Sequence, residues 1–303
     1  MISITAENLP LSAAPVSSSK PFIAFKETRS LLQRIWHVVH AIFQFIGYYL
    51  YKAVSVFFKI TFNAHPAFIR PEEKDSQEFE YRKELLPWNK NEETSNGLFL
   101  FVHGYNASPE KWTSYLDEYQ IKKPGCHYLA PHVPLKGDCS AETAAKPLLE
   151  LVQDYTDKYP ANPLYLFGFS NGARLITYIE GHLVRSGGAS LKVVSIAGPH
   201  HGTPMVDIAK KIVKLTPVIH QELRFKSPTS QSLLQTARRA SLCPKPIRHF
   251  FYASTEDEII PIESAMPERD GAIYRFVHGW PHRQIPYVVQ EMIYQDLFPS
   301  TAV

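Results

Sequence analysis

The feature that most constrains this chain is the pentapeptide Gly168-Phe-Ser-Asn-Gly172, a G-x-S-x-G pattern. Residues 164–167 before it have the composition of a buried strand, and residues 173–183 after it have helical spacing. Strand, sharp turn and helix in this order are the context that presents a nucleophilic serine. We therefore predict that Ser170 lies on a strained turn, and that its two glycines lack side chains because strand and helix pass close together. The alternative is an ordinary glycine-rich turn with a capping serine.

Composition excludes several classes of protein. A chain of 303 residues with 45% hydrophobic and 20% charged residues is globular, with room for one large domain and an appendage. A net charge of +3 gives no indication of a nucleic-acid partner. The three cysteines are widely spaced and show neither metal-ligand spacing nor a disulfide scaffold. No dinucleotide fingerprint occurs, so we expect neither a metal nor a cofactor.

From residue 97 onward, strand patterns alternate with helix patterns. The alternation predicts an α/β domain over residues 97–301, with a mostly parallel sheet and helices on both faces. The predicted strands are 97–102, a strand ending at 128–131, 164–167, 191–196, 247–253 and 272–277, and the predicted helices begin at Ser108 or span 141–159, 173–183 and 284–298.

Four motifs in this region resemble those of α/β-hydrolases of the lipase and esterase type. Phe101-Val-His-Gly104 resembles the family's oxyanion segment, and the pentapeptide resembles its nucleophile elbow. Pro199-His-His-Gly-Thr203 is similar to a segment of many lipases, and Asp257-Glu-Ile-Ile-Pro261 resembles the acid-bearing loop. The resemblance implies the α/β-hydrolase fold and a catalytic triad in the chain order serine, acid, histidine.

A serine hydroxyl needs a base to remove its proton and an acid to orient that base. The family places its histidine between the last strand and the last helix, where this chain has His278 and His282. We favour His282, which directly precedes the last helix, and keep His278 as the alternative base. The resemblance places the acid at Asp257, while the adjacent Glu256 and Glu258 are expected to be solvated.

The same resemblance identifies the groups that would stabilise an oxyanion. They are the backbone N–H groups of Asn171, after the predicted nucleophile, and of Tyr105, after His-Gly. His103, His200 and His201 match family positions that shape loops, so no proton transfer is assigned to them.

Residues 204–244, approximately, form too long a connection between two strands to be a plain loop. We predict a cap over the active site, with a basic rim of Lys210, Lys211 and Lys214. An ordinary helical excursion without lid motion remains the alternative.

The first 95 residues have no counterpart in the resemblance. Residues 1–30 are predicted to be a flexible leader without an ordinary secretory signal, and residues 63–96 a linker. Between them, residues 31–62 have polar residues that recur about every 3.6 positions and would form one stripe along a helix. The remaining face would be wide, aromatic and apolar. This pattern favours a helix lying on a membrane surface. A spanning helix and a helix packed on the domain are the other interpretations.

Taken together, these patterns predict a membrane-associated serine hydrolase, peripheral or anchored through residues 31–62. It would cleave carboxylic esters of lipids or other hydrophobic acyl groups through an acyl-serine intermediate. A thioesterase or acyltransferase would use the same intermediate. A catalytically idle, membrane-bound interaction module is the alternative from another class.

Overall fold

The computed structural model describes residues 94–184, 190–207, 215–241 and 247–299. The predicted leader at 1–30, the helix at 31–62 and the linker as far as residue 93 lie outside these ranges. Within the ranges, no helix is both long and apolar enough to cross a bilayer.

The described strands form one six-stranded sheet in which every pairing is parallel. The order across the sheet is β2-β1-β3-β4-β5-β6. The predicted parallel α/β architecture is confirmed, and the strand positions agree with the sequence to within a few residues. The bounds are β1 Leu98–Val102, β2 His127–Leu129, β3 Leu164–Phe169, β4 Leu191–Ile196, β5 Ile247–Ser254 and β6 Ile273–Val277.

Helices connect the strands, as the sequence predicts. They are α1 Thr113–Lys122, α2 Ala141–Lys158, α3 Asn171–His182, α4 Pro217–Leu223, α5 Pro228–Ser241, α6 Ile262–Ala265 and α7 Ile285–Leu297. Short 3₁₀ turns occupy Pro109–Trp112, Pro134–Gly137 and His282–Gln284. The start of α2 is set by Ser140, whose side chain accepts a hydrogen bond from the Thr143 N–H at 3.0 Å.

The two faces of the sheet follow from the alternation of side chains along each strand. In β1, the aliphatic Leu98, Leu100 and Val102 pack with α2 and α3, whereas Phe99 and Phe101 pack with α1 and α7. All five are fully buried. Burying such a side chain stabilises the fold by about 1.5–3 kcal/mol, so a strand apolar on both faces belongs between two helical layers.

The position of the candidate site follows from the strand order. The chain places β2 on one side of β1 and then returns to place β3 on the other side, with Val102 paired to Gly168. Their carboxyl ends therefore meet at a topological switch point, which is where ligands bind in open parallel sheets.

The described part of the predicted cap packs on the domain at two places. Helix α5 lies along α3, where a side chain at Gly181 would come within 3.0 Å of Thr236. Val206, Ile219 and Leu223 form a separate small apolar cluster with Tyr105 and Leu215. The proposed basic rim at residues 210, 211 and 214 lies outside the described residues. Lid behaviour stays a prediction.

The end of the predicted linker is attached to the domain. The Ser95 hydroxyl is hydrogen-bonded to the Tyr155 hydroxyl at 2.6 Å, and the Asn162 side chain donates to the Ser95 carbonyl at 2.5 Å. The Asn96 N–H donates to the Gly125 carbonyl at 2.9 Å. Residues 95 and 96 therefore make contacts that a free linker would lack.

Candidate active site

Ser170 occupies the strained turn that the sequence predicts. It directly follows β3 and precedes α3, and its φ of 54° and ψ of −126° are unusual for a residue with a side chain. Such a conformation costs about 1–3 kcal/mol. It persists because both backbone groups are held: the Ser170 N–H donates to Ile196 and its carbonyl accepts from Ala173, each at 2.9 Å.

The two glycines of the pentapeptide are required for different reasons. A Cβ at Gly168 would lie 2.5 Å from the Gly172 carbonyl oxygen, so the strand and helix do pass too close for a side chain. A Cβ at Gly172 would lie 2.2 Å from the carbonyl oxygen of Val102, at the end of β1. The second glycine therefore makes room for the neighbouring strand, which the sequence argument did not anticipate.

His282 and Asp257, 25 residues apart, are brought together by the loops after β6 and β5. The His282 Nδ1–H donates to Asp257 Oδ2 at 2.8 Å, and both side chains are nearly fully buried. The other oxygen of Asp257 accepts the N–H groups of Ile259 and Ile260, each at 2.8 Å. This hydrogen bond holds the proton on Nδ1, so Nε2 carries the lone pair that a general base needs.

The imidazole lies beside the serine turn. The Phe169 ring, one residue before Ser170, has its centroid 4.9 Å from that of the His282 ring. In the described part of the chain, no hydrogen bond joins Ser170 Oγ to the imidazole. Hydrogen bonds of this kind are often long before substrate binds.

The remaining candidates for base and acid have structural partners of their own. His278 Nδ1 lies 3.0 Å from the Thr255 hydroxyl. Glu258 accepts the backbone N–H of His282 at 2.9 Å, and Glu256 accepts that of Gly279 at 2.5 Å. Both carboxylates remain partly exposed, as expected, and each also connects the acid loop to the histidine loop.

The predicted oxyanion donors belong to segments next to the serine: Asn171 follows Ser170 in the chain, and Tyr105 follows Gly104, which lies beside it. A Cβ on Gly104 would be 2.9 Å from the Ser170 Cβ, so the residue before Tyr105 lies against the candidate nucleophile. Asn171 is the first residue of α3, and the N–H groups of a helix's first turn have no partner inside the helix. That these two N–H groups stabilise an oxyanion stays a prediction.

His103 shapes the loop that carries the first of these donors. The Val133 N–H donates to His103 Nε2 at 3.0 Å, so the ring proton sits on Nδ1 and is donated to the Gly104 carbonyl at 2.9 Å. Burial lowers the pKa of His103, and the ring is therefore neutral. The contacts agree with the loop-shaping role given to it.

A second serine and histidine pair lies deep in the fold. Ser195 Oγ is hydrogen-bonded to His200 Nε2 at 2.7 Å, and both residues are buried. Burial lowers the pKa of His200 well below its usual value, and the nearby charge of Arg269 lowers it further. The neighbouring His201 donates its backbone N–H to Ser264 at 3.0 Å. Both histidines have contacts that fit a role in holding their loop.

Sequence reasoning missed two basic residues near the site. Arg174 is fully buried and is paired with Glu222, also buried, at 2.9 Å. Lys111 donates to the carbonyl of Arg283 at 2.5 Å, and burial lowers the pKa of Lys111 to about 8. The only signal in the sequence was a charged residue at position 174, in the first turn of the helix predicted to follow the serine. Within the described ranges, no group of histidine, cysteine and carboxylate side chains could hold a metal ion.

Comparison with known proteins gives matches to solved structures alone. No protein-family model and no curated protein matches the sequence. Phospholipase PlaB from Legionella pneumophila matches at 9% identity with a TM-score of 0.43, covering 56% of this chain and 45% of PlaB. The chain thus spans less than half the length of that phospholipase.

Two further matches cover most of both chains. An esterase from Exiguobacterium antarcticum is 15% identical with a TM-score of 0.46, covering 67% of this chain and 92% of its own. A gene product from Listeria innocua is 14% identical with a TM-score of 0.48, covering 69% and 96%. At this level of similarity, the assignment of the fold depends on this chain's own order of strands and on the geometry of its Ser170 turn.

Proposed function

We propose that this chain, which has the α/β-hydrolase fold, is a serine hydrolase that cleaves carboxylic esters of hydrophobic acyl groups. The observation that carries the proposal is the strained Ser170 turn beside a buried His282–Asp257 pair joined at 2.8 Å. Nucleophile, base and acid follow strands β3, β6 and β5, all at the same edge of the sheet.

The proposed reaction proceeds in two halves. His282 Nε2 takes the proton from Ser170 Oγ as Oγ attacks the ester carbonyl, and the resulting oxyanion is met by the N–H groups of Tyr105 and Asn171. The tetrahedral intermediate collapses, and the proton on Nε2 passes to the departing alcohol. Water, deprotonated by the same nitrogen, then attacks the acyl-serine. The acid is released, and the proton returns to Ser170. Asp257 stabilises the imidazolium in both halves.

A hydrophobic substrate is supported by the side chains around the site. Trp280 and Tyr287, on either side of His282 in the sequence, are 40% and 52% exposed. Leu135 is 49% exposed in the turn whose Gly137 lies against both Asn171 and Tyr105. Exposed apolar side chains in the segments that carry the proposed site favour contact with an apolar ligand or surface.

Association with a membrane is part of the same proposal. Its support is the amphipathic pattern of residues 31–62 in the sequence, which would bring the enzyme to the interface where lipid esters reside. We propose that this segment anchors the protein peripherally.

Labelling with a fluorophosphonate tests the nucleophile. The wild-type protein should be labelled and should hydrolyse a short soluble ester, whereas Ser170→Ala should lose both because the attacking oxygen is gone. Ser195→Ala is the matched control, since it removes a buried serine that is hydrogen-bonded to a different histidine. A Ser170→Ala variant with wild-type turnover would refute the proposal.

A substrate panel separates the related activities. Esters and thioesters of increasing acyl length, assayed side by side and with added acyl acceptors, distinguish an esterase from a thioesterase or an acyltransferase. An idle interaction module would react with neither the panel nor the fluorophosphonate.

A further inference from the structure

A buried ion pair joins the excursion between β4 and β5 to the helix that follows the serine. Arg174 Nη2 on α3 lies 2.9 Å from Glu222 Oε2 on α4, and the arginine side chain is fully buried. The same carboxylate oxygen accepts the backbone N–H of Ala141, the first residue of α2, at 2.9 Å. One oxygen therefore connects three helices.

The other end of the guanidinium contacts the side chain of Asn171, the residue on α3 whose backbone N–H is a proposed oxyanion donor. Arg174 Nη1 donates to the Asn171 side-chain oxygen at 3.0 Å. The Asn171 amide nitrogen in turn lies 3.5 Å from the Gly137 carbonyl. The residue that carries the proposed donor is thus held by its side chain on both sides.

Helix α4 also contacts the residue that carries the second donor. Tyr105 packs against the apolar cluster to which Ile219 and Leu223 belong. Ile219, Glu222 and Leu223 are the buried residues of α4, and their spacing places them on one face of the helix. This single face therefore reaches Tyr105 through apolar side chains and Asn171 through the ion pair.

We propose that Arg174 and Glu222 are positioning residues for the oxyanion hole, with α4 as the brace that holds both donors. The inference rests on the proposed serine-hydrolase function. Donors stabilise a developing negative charge only when they are already aimed at it, so a small displacement reduces turnover more than substrate binding. Neither side chain has a role in the bond-making steps.

Kinetics of Glu222→Gln and Arg174→Met test the proposal. Glu222→Gln keeps the shape of the side chain and one oxygen but loses the charge. We expect kcat on a soluble ester to fall by about 10- to 100-fold, with KM within about twofold, because the loss is confined to the transition state. Binding of a trifluoromethyl ketone, whose adduct with serine carries an oxyanion, should weaken in parallel.

Two further variants separate positioning from stability. Glu180→Gln is the matched control, because Glu180 lies on the same helix in a buried pair with His249 at 2.8 Å but nine residues beyond Asn171. It should lower the unfolding midpoint and leave kcat of the folded protein unchanged. The double variant Arg174→Met with Glu222→Leu replaces the pair by apolar side chains. It should regain stability relative to the single variants while kcat stays low.

Folding of every variant is checked by circular dichroism at the assay temperature, so that a change in kcat reports on the active site. A wild-type protein that fails to react with the fluorophosphonate overturns the proposed function and this inference with it. A reactive wild type whose Glu222→Gln and Arg174→Met variants keep wild-type kcat and inhibitor affinity overturns the inference alone. The same conclusion holds if Glu180→Gln loses kcat equally, or if the double variant regains kcat together with stability.

Discussion

At the scale of single residues, the candidate site depends on how each polar atom is held. Asp257 accepts three hydrogen bonds, one from His282 and two from backbone N–H groups. The carboxylate is fixed before any substrate arrives, and it fixes the imidazole in turn. Preorganisation of this kind would keep the proposed base in the tautomer that the proposed reaction needs.

Substitution of the base and acid should rank the candidates. Asp257→Asn should lower kcat by about four orders of magnitude, because the amide favours the wrong imidazole tautomer. His282→Ala should be equally severe. His278→Ala should be mild, and so should Glu258→Gln, which keeps an acceptor oxygen for the His282 N–H. Steady-state kinetics on a soluble ester provide the measurement. A larger loss of kcat from His278→Ala than from His282→Ala would identify His278 as the base.

At the scale of elements, the carboxyl ends of the strands carry every proposed catalytic side chain, and the helices hold them in place. Parallel strands deliver their carboxyl ends to one edge of the sheet, where residues far apart in the chain become neighbours. The sequence pattern of residues 31–62, which lie outside the described ranges, predicts an element of another kind. Its expected partner is a bilayer surface.

Charge reversal in that segment should weaken membrane binding. Lys52→Glu with Lys59→Glu should reduce co-sedimentation with anionic vesicles, and the difference from wild type should shrink at high salt, where charge attraction is screened. Lys146→Glu with Lys226→Glu is the matched control, since it makes the same change in net charge at two exposed positions of the domain. An equal loss of vesicle co-sedimentation in the two double variants would contradict a specific role for residues 31–62.

Removal of the segment extends the same test. A chain beginning at Thr94 keeps Ser95 and its contacts with Tyr155 and Asn162. It should hydrolyse a soluble ester at the wild-type rate and lose most activity on emulsified long-chain ester. If it sediments with liposomes as well as the full chain does, the segment is not the anchor.

At the scale of the whole molecule, stability should depend on buried neutral histidines. Burial lowers the pKa of His103, His200 and His201 in the folded protein, whereas in the unfolded chain each titrates near pH 6.5. Below that pH the unfolded state binds more protons, so the free energy of unfolding falls as the pH decreases toward the folded-state pKa values. The buried His103 and His200 can each contribute up to about 1.4 kcal/mol per pH unit in that window, and solvent screening makes the contribution of the half-exposed His201 smaller.

Urea unfolding at about pH 8 and about pH 5.5 measures this effect, and we expect a marked loss at the lower value. His200→Gln should reduce the loss, because the variant has no imidazole to protonate at that position. Equal stability at the two pH values would contradict the assignment of neutral buried rings.

The sequence by itself determined the local elements and the identity of the candidate groups. Apolar runs, helical spacing and glycine positions report short-range constraints, so the strands, the helices and the strained turn at Ser170 could be predicted from residues within a few positions of each other. The alternation of strand and helix was enough to specify a parallel sheet. Resemblance to a known family supplied the order of serine, acid and histidine.

The tertiary structure alone decided which distant residues meet. Gly172 must lack a side chain because of Val102, 70 positions earlier in the chain, and Glu222 reaches Arg174 across 48 positions. Glu256 and Glu258 accept backbone N–H groups of the histidine loop, which their local sequence does not indicate. Such contacts depend on the order of strands in the sheet and on how the helices pack against it, and neither leaves a periodic signal in the sequence.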